Sequence, residues 1–233
     1  MQTILAELHN ISKYYEQPGT SNRNFVLDQI SLSIRENETI AIIGPSGSGK
    51  STLLNLLGTL DRPSSGKIIL NGMDTGKMND NQVADIRSHF IGYVFQLHYL
   101  LPQLTLLENV LLPLLARQDN PDRLAIHQRA LQLIERVGLS DHIHQFPFSM
   151  SVGECQRAAV VRALINQPRL LLADEPTGSL DAENADQLGN LLVELNQELQ
   201  IALIVVTHST DLSKRMQTNY KLSSGKLHRV ESL

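Results

Sequence analysis

Apolar and polar residues alternate along residues 3–8 and again along 25–34 (FVLDQISLSI), the period of strands with one buried and one solvated face. Between them QPGTSNRN, rich in turn formers, reads as a loop. Shorter and more uniformly apolar runs follow: TIAII at 39–43, residues 66–71 punctuated by Gly66 and Gly72, IGYVF at 91–95, LLLA at 170–173 and IALIVV at 201–206. Such runs fit strands covered on both faces, as in parallel sheets. Helical spacing fills the gaps, from Lys50 to Leu60, over most of 97–168 and over 182–199. In the long middle stretch Ala130, Leu131, Ile134 and Val137 share a face, and Gly138 suits a helix C-terminus. YKLSSGKLHRV near the end reads as a hairpin turning at Ser224–Gly225.

These elements predict an α/β fold. A mostly parallel sheet core is expected from residues 1–96 and 169–233, with an antiparallel β region mainly near the N-terminus. Residues 97–168 are expected as a helical subdomain inserted into that core, the whole of 1–233 forming a single domain. Composition agrees: 42% hydrophobic and 19% charged residues are enough for one sizeable core, which excludes disordered and coiled-coil classes.

Charge narrows the partners. The net charge is −4 and the basic residues are scattered, so no nucleic-acid partner is expected. The single cysteine, Cys155, has no internal disulfide mate, which suits a reducing cytosol, and Glu7 interrupts any signal-like run. The most apolar region, 97–116, is broken by Pro102, Gln103, Glu108, Asn109 and Pro113, so no span of roughly 18 apolar residues arises. Any membrane function is expected to come through a partner.

The candidate chemistry lies in three places. GPSGSGKS, from Gly44 through Pro45, Ser46, Gly47, Ser48, Gly49 and Lys50 to Ser51, follows a strand and opens a helix that continues with Thr52. Its glycines allow backbone N–H groups to close around phosphate oxygens, Lys50 is expected to reach the β- and γ-phosphates, and the Ser51 hydroxyl to bind Mg²⁺. LLLADEP at 170–176 ends a strand in two carboxylates. Asp174 is expected to hold the metal and Glu175 to act as general base. Ser151-x-x-Glu154, with Gly153 between, is a capping box whose helix end could receive a phosphate.

Taken with Gln96 at the end of YVFQ, SVGE at 151–154, SLD at 179–181 and His208 in VVTHS, these motifs resemble the ATPase subunits of ABC transporters. The resemblance runs along essentially the whole chain, and implies a P-loop NTPase of ABC type. It implies ATP and Mg²⁺ as ligands, and two identical chains facing head to tail. Each ATP would lie between the phosphate loop of one chain and the Ser151, Gly153 and Glu154 segment of the other. Gln96 would touch Mg²⁺ and the membrane partner, His208 the γ-phosphate, and Tyr15 the adenine ring, with Tyr14 as the fallback.

One position departs from the family pattern. Val152 stands where a glycine is usual; a β-branched residue tolerates positive φ poorly and brings bulk near the γ-phosphate, so weaker ATP-driven dimerisation or slower turnover is expected. FQLHYLLPQLTLLENVLLPLL at 95–115 and ADEPTGSLD at 173–181 resemble the branch serving lipoprotein-releasing and macrolide-exporter systems. That branch implies an integral membrane partner, docking on Leu97 to Pro113, at the cytoplasmic face of the bacterial inner membrane. Most leucines of that stretch are expected in the core, with His98 and Tyr99 in direct contact. A soluble ABC-type ATPase and a nucleotide-dependent regulator with weak hydrolysis are the alternatives.

Overall fold

The computed structural model describes residues 3–16, 23–117 and 122–230. Strands β1 (Ile4–Glu16) and β2 (Arg23–Arg35) pair antiparallel, then β3 (Thr39–Ile43) leads into helix α1 (Lys50–Leu57). Next come β4 (Ser65–Leu70), β5 (Met73–Asp74), α2 (Asp80–Phe90) and β6 (Ile91–Val94). The helical stretch holds α3 (Leu106–Leu111), α4 (Arg123–Arg136) and α5 (Val152–Leu164). The chain closes with β7 (Leu170–Asp174), α6 (Ala182–Leu199), β8 (Ala202–Thr207), α7 (Thr210–Lys214), β9 (Thr218–Ser223) and β10 (Lys226–Val230).

Two sheets result. One has four strands in the order β2-β1-β4-β5, and the other six in the order β10-β9-β3-β8-β7-β6. In the second, β3, β6, β7, β8 and β9 run parallel, and only β10 is antiparallel. The uniformly apolar runs are explained by alternation between two cores. Ala41, Val94, Leu171, Ala173, Leu203 and Val205 point to the helices α3 to α6. Ile40, Ile42, Leu170, Leu172, Ile204 and Val206 point the other way, onto α1 and the four-stranded sheet. Both faces of the central strands are therefore dry, and each buried Leu, Ile or Val contributes about 1.5–3 kcal/mol.

Local expectations changed in a few places. The helix after the phosphate loop ends at Leu57 rather than Leu60: Gly58 caps it, and Thr59 turns the chain at φ 56°. Helix α2 was not anticipated, although Asn79 and Gln82 form a full capping box at its start. Of the expected 17–24 loop, residues 17–22 lie outside the described residues, and β2 already includes Arg23 and Asn24. In the leucine-rich stretch only Leu100, Leu106 and Val110 are fully buried apolar residues. Leu97, Leu101 and Leu115 are exposed, because Pro102 and Pro113 interrupt the helix that would have turned them inward.

Candidate functional site

β3 delivers the chain to the loop 44–49, and α1 carries it away. Gly44 is required by space: a Cβ there would meet the Leu222 carbonyl oxygen at 2.3 Å. Gly47 and Gly49 sit at φ 77° and 98°, the left-handed region that glycine enters without strain. The result is a cleft of about 700 Å³ lined by Ser46, Gly47, Gly49, Lys50, Ser51, Thr52, Gln96, Glu175 and His208, with Val26 at its edge. Gly44 and Pro45 serve it through their carbonyls, which accept from Lys50 Nζ at 2.9 and 3.1 Å. Ser48 belongs to the same loop, but its hydroxyl is buried and has no hydrogen-bond partner among the described residues.

β7 brings the two carboxylates to the carboxyl edge of the sheet, where ligands bind in doubly wound folds. Ser51 donates its hydroxyl to Asp174 Oδ1 at 3.1 Å. Burial raises the Asp174 pKa above its ordinary value, and the Glu175 charge adds to this, while the Ser51 hydrogen bond and Lys50 oppose it. Glu175 Oε1 lies 4.0 Å from Lys50 Nζ. Its Oε2 accepts the His208 backbone N–H at 3.1 Å and faces His208 Nδ1 at 2.9 Å. An ionised carboxylate only accepts, so this contact assigns the proton to Nδ1. Glu175 itself sits at φ 44°, a strained value for a non-glycine residue, held by its N–H bond to the Val206 carbonyl at 2.9 Å.

The remaining candidates lie elsewhere. Tyr15 is not in the cleft lining. It is 46% exposed, its hydroxyl donates to Asp61 Oδ2 at 3.0 Å, and Lys13 lies 4.9 Å over its ring. Tyr14 packs against Phe25 at 5.5 Å. Ser151, Gly153 and Glu154 are at the head of α5, outside this cleft. A Cβ on Gly153 would meet Asn184 Oδ1 at 2.8 Å, so this glycine lets α5 lie close against the Asn184 side chain of α6. Val152 is the first residue of α5 and 52% exposed, and it is not among the positive-φ residues. Valine therefore meets no positive-φ strain here, contrary to expectation, and only its bulk remains. Cys155 is buried, with its thiol pKa raised by burial and by Glu154, which fits an inert side chain.

Other positioning residues were missed in the sequence. Gln156, fully buried, donates to the Phe95 carbonyl at 2.8 Å. Arg162 donates to the carbonyls of His98 and Tyr99 at 2.6 and 2.7 Å. Both stand on α5 among Ala158, Val160, Val161 and Leu164, and polar residues within such an apolar run were the available signal. They fix the segment that follows Gln96. Beside it lies a groove of about 550 Å³ lined by Arg87, Tyr93, Phe95, Tyr99, Pro113 and Arg162. Phe95 stacks on Tyr93 at 4.2 Å and meets Tyr99 edge-on at 5.4 Å.

The cleft has the donors a nucleoside triphosphate needs: a loop with no room for a Cβ at Gly44 or Gly49, a helix N-terminus and an ammonium. For a divalent cation it offers one carboxylate, one hydroxyl and one amide oxygen. That suits Mg²⁺, which takes few protein ligands and completes its shell with phosphates and water. Among the described residues no cluster of three or more His, Cys, Asp or Glu could hold a metal alone.

The ABC transporter family model matches residues 27–178, well over half of the chain. The chain belongs to the ABC transporter family. The cassette is similar to the solved ATP-binding cassette MJ0796 in its dimeric post-hydrolysis state with ADP and Pi. Identity is 33% and the TM-score 0.87, over 98% of this chain and 100% of that one. A second structure, the dimeric bacterial ABC transporter cassette MJ0796, matches at 34% identity and TM-score 0.87 with the same coverage. The cbiO1 protein of Clostridium perfringens, part of the transporter complex cbiONQ, matches at 25% and TM-score 0.85, over 97% of this chain and 87% of that one. This chain is thus an ATP-binding, ATP-hydrolysing cassette, and no described helix is long and apolar enough to cross a membrane.

Proposed function

We propose that two copies of this cassette close on two ATP molecules and pass the motion to an integral membrane partner. The observation carrying this is the short loop joining cleft and groove: Gln96 lines the first and Tyr99, three residues on, lines the second. A change at the phosphate end has a direct covalent route to the groove. The groove takes a short cytoplasmic segment of the partner, and residues 97–168 work as one arm on the core formed by 1–96 and 169–233.

In each cleft the loop amides from Gly44 to Ser51 and the Lys50 ammonium bind the β- and γ-phosphates. Ser51, Asp174 and Gln96 hold Mg²⁺, which when bound neutralises phosphate charge. Glu175 accepts the proton of the attacking water, oriented by its hydrogen bonds to His208, and His208 contacts the γ-phosphate. Tyr15 stacks on adenine once its ring leaves Asp61. Ser151, Gly153 and Glu154 meet the nucleotide of the facing chain. Dimeric relatives support the pairing, since neither cleft alone contains the α5 end.

The finer assignment is to the lipoprotein-release and macrolide-export branch, supported by the resemblance of 95–115 and 173–181. The cassette then sits peripherally on the cytoplasmic face of the bacterial inner membrane, driving a protein with a large periplasmic domain. Two experiments test this. Glu175→Gln should lower turnover about 10²–10⁴-fold while ATP still binds and accumulates a two-chain species in size-exclusion chromatography. Normal turnover would remove Glu175 from its role. Affinity capture from gently solubilised membranes should recover a membrane protein with few spans and a large periplasmic domain. Recovery only with soluble ribosomal or DNA-repair proteins would overturn the transport reading and leave the ATPase intact.

A further inference from the structure

The head of α5 holds a charge arrangement that the capping box does not require. Ser151 Oγ accepts the Glu154 amide at 3.3 Å, and Glu154 Oε2 accepts the Ser151 amide at 2.7 Å. That closes the cap. The other carboxylate oxygen, Oε1, lies 3.3 Å from His142 Nε2, with both side chains about one quarter exposed. His142 ends the 3-10 turn Ser140–His142, twelve residues before its partner in sequence. Its second ring nitrogen, Nδ1, is buried and has no hydrogen-bond partner among the described residues. The ring is thus tethered through Nε2 to a single carboxylate.

An ionised carboxylate gives a helix end extra stability, yet it opposes a second anion arriving at the same place. In the two-chain reading that anion is the γ-phosphate held by the facing protomer. We propose that His142 is a positioning residue for this encounter: through Glu154 it holds the Ser151 end of α5, and it offsets the carboxylate charge that faces the phosphate. The proposal rests on the two-chain reading of Ser151. It makes His142 the group whose protonation sets how well α5 accepts the facing nucleotide.

Other charges nearby do not replace it. Arg157, also on α5, adds a weaker pull on Glu154. Asp141 and His144 adjoin His142 and are exposed. On the packed α4, Arg136 is engaged by Glu194 and Glu198, and Glu135 sits beside it at the helix end. On α3, Glu108 is engaged by Thr105.

The test is steady-state ATP hydrolysis by the full chain against Mg-ATP concentration, from about pH 6 to about pH 8, across the ordinary imidazole range. Wild type, His142→Arg and His142→Gln are compared, with far-UV circular dichroism as the folding control. Taking each KM relative to that of His142→Arg cancels the titration of ATP itself. The wild-type ratio is expected near one at the acid end and about two- to five-fold higher at the alkaline end, the range of a partly exposed ion pair. His142→Gln should stay high throughout, and adding Glu154→Gln to wild type should flatten the profile. A flat wild-type ratio, or one unaffected by Glu154→Gln, overturns the proposal. Ser151→Arg separates the two readings. If it leaves cooperative turnover intact, the two-chain reading fails. If it abolishes turnover while the His142 ratio is flat, only the role of His142 fails.

Discussion

Two helix N-termini carry the proposed nucleotide contacts, and they are finished in opposite ways. α1 follows Gly49, which sits at φ 98°, and no side chain caps it. Its first-turn amides open onto the cleft. α5 follows Ser151, and the reciprocal bonds between Ser151 and Glu154 satisfy its end within one chain. With glycine at the cap position the missing side-chain bond costs a few tenths of a kcal/mol, and the open amides leave α1 with donors that a bound phosphate would satisfy. α5 keeps that stability and is ordered before any partner arrives. In the proposed reading one end is completed by a ligand inside its own chain, and the other presents a finished surface to the facing chain.

The largest effect should come from the open end. Lys50 is 8% exposed, its ammonium held by two loop carbonyls close to Glu175. Among the described residues that line the cleft, Lys50 and His208 are the basic ones, and Lys50→Ala removes the ammonium. Truncating one side of a desolvated charge contact costs about 2–5 kcal/mol, so ATP binding should weaken by about 30-fold to several thousand-fold. Titration with a fluorescent ATP analogue measures it. Unchanged affinity would mean that the open end of α1 is not completed by phosphate, and the contrast with α5 would collapse.

How much of this contrast could be read in the sequence depends on range. The phosphate loop, the acidic end of β7 and the Ser151–Glu154 box are each contiguous, and local backbone chemistry defines them. Parallel strands were legible because two dry faces leave no alternation to confuse. Helix α2 was missed because Val83, Ile86 and Phe90 are its only large apolar residues, too sparse a stripe beside the Asn79 cap. The loop after Gln96 was misjudged as mostly core. Its position is set by Gln156 and Arg162, 61 to 64 residues away, and by Asn109, whose amide satisfies Leu101, Leu104 and Thr105. The His142–Glu154 pair was equally invisible, because only packing brings the Ser140–His142 turn onto α5.

A smaller effect is expected at the closed end. Ser151→Ala removes the hydroxyl acceptor of the cap and should cost about 1 kcal/mol, or about 2–4 °C in Tm for a chain of this size. The Ser151 backbone hydrogen bond holds Glu154 below its ordinary carboxylate pKa, with burial opposing and the Ser151 hydroxyl, His142 and Arg157 adding to the depression. A carboxylate with a lowered folded-state pKa stabilises the fold above its ordinary value, and loses that contribution as pH falls through the folded value. The Tm difference between wild type and Glu154→Ala should therefore persist near neutrality and shrink below about pH 4. A difference independent of pH would show that the carboxylate charge has no part in closing this end.

The smallest effect bears on what the closed end presents. Val152 takes right-handed backbone at the first position of α5 with half its surface exposed, so valine imposes no strain there. Val152→Gly therefore relieves nothing within one chain, and glycine lowers helix stability by a few tenths of a kcal/mol up to about 1. Any gain must appear only when two chains meet, where removing the isopropyl group lets the facing phosphate approach the α5 amides. In the Glu175→Gln background, sedimentation equilibrium with ATP should show the dimer tightened about two- to three-fold, within the usual range for an exposed substitution. The monomer's Tm should fall slightly at the same time. Opposite signs for stability and association would locate the cost of Val152 at the interface. If both fall together, its bulk is neutral to the facing nucleotide, and the closed end is limited by the Glu154 charge instead.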